Sequence, residues 1–74
     1  MKRKFVLIRT DGYEIDAEDF NTAEEAICEM QKQYADRYPK DIDVVRKGMS
    51  YCTDKNAILY TYKEVFVWKI HQII

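Results

Sequence analysis

Residues 4–10 and 13–17 read as two strands on either side of Asp11-Gly12. The first holds the apolar run Phe5-Val6-Leu7-Ile8, and the second alternates acids with Ile15 and Ala17. Asp-Gly between strand-like segments is the short-range signal of a hairpin closed by a two-residue type I′ turn. Such a turn sets Thr10 opposite Tyr13, Arg9 opposite Glu14, Ile8 opposite Ile15 and Val6 opposite Ala17. One face then carries Val6, Ile8, Ile15 and Ala17, the expected core face. The other carries an Arg9–Glu14 cross-strand ion pair, with Phe5 and Leu7 beside Asp16 and Glu18. The first strand is apolar on both faces, as an inner strand is, whereas the second has the character of an edge.

The period then changes. Ala23, Ile27, Met30, Tyr34 and Tyr38 recur at helical spacing, and Ala26 widens the stripe. Thr22 followed three residues later by Glu25 is a capping box, with Phe20 placed to anchor the entry. Pro39 restricts the residue before it to extended conformations. The pattern predicts a helix over residues 22–37.

The remainder of the chain reads as a meander. Segments 42–46 and 49–53 flank Lys47-Gly48, residues 54–56 form a turn, and segments 57–62 and 65–73 flank Lys63-Glu64. The whole order is ββα followed by a β-meander. It predicts an α+β fold with an antiparallel sheet of five or six strands and one helix packed on one face. A chain of 74 residues makes this a single small domain, 1–74. At 47% hydrophobic and 34% charged, with two Gly and one Pro, the composition is that of an ordinary folded protein rather than a disordered one.

The last hairpin is apolar on both sides. A two-residue turn at Lys63-Glu64 puts Tyr62 opposite Val65, Tyr60 opposite Val67 and Ile58 opposite Lys69, with Leu59, Thr61, Phe66, Trp68 and Ile70 on the other surface. Ile73-Ile74 prolong it. One helix covers one face of a sheet, and exposed apolar patches above a few hundred Å² are rare on monomers. The expectation is a second chain over the free face, a homodimer being the commonest such assembly. Tyr60, Tyr62, Val65, Val67 and Trp68 are the candidate contact residues, and the face that holds Trp68 is otherwise the one that meets the helix.

Charge changes the picture in one place. Residues 1–29 carry four bases and eight acids, and residues 30–74 carry eight bases and five acids, for a net charge of −1. Within 11–29 there are eight carboxylates and no Lys or Arg. Much of this has a structural reason. Glu24 and Glu25 suit the first turn of a helix, Asp11 suits a turn, and acids on an edge strand discourage stray pairing. The remaining expectation is an acidic partner surface of Glu14, Asp16, Glu18 and Asp19 that meets a protein with a basic surface.

Catalytic and metal readings fare poorly. Carboxylates two apart on a strand are about 6.5–7 Å from one another, too far to chelate one ion compactly. Asp41-Ile42-Asp43 lacks the downstream glycine and glutamate of a calcium loop. Cys52, Asp54 and His71 invite a Cys–His reading, but a strand between the first and last separates them by about 9–10 Å. No paired ligand spacing suggests zinc. The basic, aromatic second half suggests a single-strand nucleic-acid platform, yet the bases are scattered and the whole chain is slightly acidic. No cofactor is expected. Two cysteines do not make a disulfide scaffold, the apolar run at Phe5–Ile8 is too short for a signal sequence, and no stretch approaches a membrane span. A non-enzymatic, cytoplasmic interaction module is the expectation.

Overall fold

A computed structural model describes residues 4–73. β1 (Phe5–Thr10), β2 (Ile15–Phe20), α1 (Ala23–Arg37), α2 (Val44–Met49), β3 (Tyr51–Cys52), β4 (Asn56–Tyr60) and β5 (Val65–Gln72) follow in that order. The strands form one antiparallel sheet in the order β2-β1-β5-β4-β3. This is the expected α+β architecture, with a five-stranded sheet and one main helix. Ile74 lies outside the described residues.

α1 begins where the capping box places it. Thr22 Oγ1 accepts from the Glu25 amide at 3.2 Å, and Glu25 Oε1 accepts from the Thr22 amide at 3.2 Å. The helix stops at Tyr38, whose extended ψ of 119° is what the following proline demands. Its inner side buries Ala26, and it packs Met30 into a core with Leu7, Ala57, Leu59, Phe66 and Trp68, with Phe20, Tyr34, Tyr38 and Ile70 packed around them. Each such large apolar side chain contributes about 1.5–3 kcal/mol when fully buried.

The core therefore lies under the Leu7 side of β1, and Val6, Ile8, Ile15 and Ala17 lie on the opposite face. The expected assignment of faces is reversed. With β1 apolar on both sides, the choice rests with β5, whose Phe66 and Trp68 hold the largest apolar area and share the side of Leu7 and Arg9.

Three hairpin loops are longer than a two-residue turn allows, and each is closed by its first side chain. Asp11 Oδ1 accepts from the Tyr13 and Glu14 amides, both at 2.9 Å. Thr53 Oγ1 accepts from the Lys55 and Asn56 amides, both at 3.1 Å, and Thr61 Oγ1 accepts from the Glu64 amide at 3.0 Å. Short polar side chains bonding to the backbone just ahead make such turns. The register consequently moves by two residues from the expected one: Thr10 faces Ile15, Arg9 faces Asp16, Ile8 faces Ala17, Tyr60 faces Val65 and Ile58 faces Val67. A shift of two preserves which residues share a face. The ion pair of Arg9 is accordingly with Asp16 and not with Glu14.

Residues 44–49, expected to belong to strands and a turn, form α2. Asp43 caps it, with Oδ1 accepting from the Arg46 amide at 2.9 Å and Oδ2 paired with the Arg46 guanidinium at 2.8 Å. Val44, Val45 and Met49 are all exposed, so α2 takes nothing apolar into the core. The β-branched Val44 and Val45 read as a strand, and the cap overrides them.

Candidate functional site

The register places Ile15 of β2, Thr10 of β1, Val67 of β5, Ile58 of β4 and Tyr51 of β3 in one row across the sheet. Ile8 and Ala17 adjoin this row on one side, and Val65 and Tyr60 on the other. All lie on the face away from α1. Ile15, Val65 and Tyr51 are 75%, 40% and 43% exposed. Lys69, Asn56, His71 and Asp19 bound the patch toward the other end of the strands. The face thus has an apolar centre and a polar border.

The expected contact residues divide. Tyr60, Val65 and Val67 share this open face. Trp68 does not belong to a contact surface: it is fully buried beneath α1 and donates its indole N–H to Gln33 Oε1 at 3.0 Å. Tyr62 sits in the β4–β5 loop, its hydroxyl donating to the Asp41 carbonyl at 3.0 Å and its ring lying 4.5 Å beneath the Arg46 guanidinium. Strand parity excludes Trp68, and the longer loop removes Tyr62 from the strand. Ile15, Thr10, Ile58 and Tyr51 are the members of the row that were not among the expected contact residues. The period-two pattern carried the signal for Ile15 and Ile58, once the faces are assigned through Trp68.

The acidic residues do not make one surface. β2 begins at Ile15, so Glu14 lies in the loop; Asp16 and Glu18 lie on the helix side, and Asp19 on the open side. Asp16 is held by Arg9. Asp11, accepting two loop amides, has its carboxyl held below the ordinary aspartate range.

The aromatic residues suggested for stacking nucleic-acid bases are mostly elsewhere. Tyr34 packs edge-on against Trp68 with ring centroids 5.8 Å apart, and Phe66 stacks on Trp68 at 5.9 Å. Of the second-half aromatic residues Tyr34, Tyr38, Tyr51, Tyr60, Tyr62, Phe66 and Trp68, only Tyr51 and Tyr60 belong to the open face.

Cys52 and His71 fall on opposite faces of the sheet, because Cys52 aligns with Ala57 on the helix side and His71 with Val6 on the open side. Burial pushes the Cys52 thiol up from its ordinary value. The arrangement gives no thiolate–imidazole pair. Among the described residues no three His, Cys, Asp or Glu side chains cluster closely enough to hold a metal ion, and no helix is long and apolar enough to cross a membrane.

Comparison of the chain with protein-family models, with curated proteins and with solved structures yields no match. The molecule belongs to the α+β class by its fold alone.

Proposed function

We propose that this protein is a small, non-enzymatic, cytoplasmic interaction module that self-associates through the open face of its sheet. The observation that carries the reading is the row Ile15–Thr10–Val67–Ile58–Tyr51, which presents apolar and aromatic side chains, with one hydroxyl among them, across the sheet on the side opposite α1. A second copy is the natural occupant because a two-fold axis lets one self-complementary surface serve both partners. In plan the face measures about 20 by 20 Å, from strands about 4.8 Å apart and residue rows about 7 Å apart. That is roughly 400 Å² per partner, below the ~800 Å² of a standard specific interface. The association expected is weak and concentration-dependent.

Light scattering across a wide concentration range tests this. The molar mass should rise from monomer to dimer with concentration, and Val67→Lys should hold it at the monomer while the circular dichroism spectrum stays unchanged. A monomer mass at every concentration, millimolar included, ends the reading.

A further inference from the structure

A second surface lies along one edge of the sheet. β2 forms one edge of the sheet, and its residues are exposed from Ile15 to Asp19. The opposite edge, β3, is only two residues long. An edge strand presents a row of backbone donors and acceptors that pair readily with another extended chain.

Beside this edge runs a groove of about 310 Å³ between α1 and the β1–β2 pair, lined by Leu7, Arg9, Asp16, Ala17, Glu18 and Gln33. Its polar groups are set in place. Arg9 is committed to Asp16. Gln33 is held at both ends, its Nε2 donating to Glu29 Oε2 at 2.8 Å and its Oε1 accepting from Trp68. Glu18 has no ion-pair partner among the described residues.

We infer that the β2 edge and its flanking groove take up an extended segment of a partner protein, in which basic residues alternate with apolar ones. The edge and the groove define the site, and the charge selects the occupant. A strand added beside β2 points alternate side chains to the two faces of the sheet. Those on the groove side lie next to Asp16, already paired with Arg9, and Glu18, whose unpaired carboxylate favours Lys or Arg. The intervening ones continue the open face beyond Ile15 and Ala17, where an apolar side chain fits, until Asp19 closes the apolar stretch. A second copy of this chain does not suit the edge, because β2 paired with β2 sets Asp16 and Glu18 beside acids of their own kind, which is unfavourable. The two surfaces adjoin at Ile15 and Ala17 but differ in kind: this inference concerns the backbone edge and groove of β2, and self-association concerns the open face.

A capped hexapeptide, Lys-Val-Lys-Val-Lys-Val, is the probe. Titrated into ¹⁵N-labelled protein, it should shift and protect from exchange the amides of residues 15–20 and move the side-chain amide of Gln33. Glu18→Lys should weaken binding by about fivefold, the worth of one exposed ion pair. Of two probes N-methylated at every Val or at every Lys, one should fail to bind, because it lacks the donors facing β2. A block peptide, Lys-Lys-Lys-Val-Val-Val, should bind more weakly than the alternating one. Absence of binding overturns the inference. So do equal binding of the block and both N-methylated probes, which would show attraction by charge alone, and shifts centred on Val67, which would place the peptide on the open face.

Discussion

The indole N–H of Trp68 in β5 meets the Oε1 of Gln33 in α1 at 3.0 Å, a side-chain bond between residues 35 apart that ties the helix to the centre of the sheet. Replacing Gln33 by Met keeps the length of the side chain and leaves a buried donor without a partner. The expected cost is about 1–3 kcal/mol. Urea unfolding followed by fluorescence measures it cleanly, since Trp68 is the chain's single tryptophan.

The loop staples make a second case. Thr61→Val conserves shape and β-branching but leaves the Glu64 amide without its 3.0 Å acceptor. A loss of about 0.5–1.5 kcal/mol is expected, read as a lower midpoint in urea with an unchanged slope. Thr53→Val should behave alike, because Thr53 performs the same task between β3 and β4.

Acid should act on the first loop. The Asp11 carboxyl is held low by the Glu14 and Tyr13 amides. A group depressed in the folded state contributes stability above its unfolded value, near pH 4, and loses it as pH falls through the folded value. The amide resonances of Tyr13 and Glu14 should therefore titrate at a pH below that of an unstructured aspartate. Asp11→Asn should remove the transition and leave the rest of the spectrum in place.

The two cysteines should label in order. Cys28 is exposed on α1, whereas burial raises the Cys52 thiol and holds it in the neutral, unreactive form. A disulfide reagent at pH 8 should modify Cys28 first, with Cys52 reacting at the same rate only in denaturant. Equal rates in the native protein would show that the β3 edge opens readily.

The two-sided character of the sheet is open to a paired test. Leu59 is fully buried against α1, and Val67 lies on the open face. Leu59→Ala should cost about 2–5 kcal/mol by opening a cavity. Val67→Thr should cost no more than about 1 kcal/mol, the span of strand propensity, while weakening self-association. Thermal melts at low protein concentration separate the two effects.

Much of this arrangement was legible in the amino-acid order. Thr22 and Glu25 announced the helix start, Pro39 its end, and the parity of residues 57–70 divided the last hairpin between its faces. Two things were not. Loop length depended on Asp11, Thr53 and Thr61 bonding to amides two or three positions ahead, and a turn dipeptide such as Asp11-Gly12 conceals that competition. The choice of covered face for β1 depended on β5, some sixty residues later, since nothing within 5–8 distinguishes the Leu7 side from the Ile8 side. The open-face residues Tyr60, Val65 and Val67 emerged from parity alone. Trp68 does not belong with Val65 and Val67, since alternation along β5 puts it on the other side, where α1 covers it.

The strand order β2-β1-β5-β4-β3 has a kinetic consequence. The central pairing joins the first strand of the chain to the last, so the β1–β2–α1 portion and the β3–β4 portion have no strand contact until β5 arrives between them. Non-local pairing of this kind must overcome the loop entropy of the intervening chain before it is rewarded. A growing polypeptide that has not yet passed Val65 has only α1 to bridge its two strand pairs, with Leu7 and Leu59 each lacking the β5 neighbour that will flank it. Folding must wait for the final strand, and that strand acts as the keystone of the assembly.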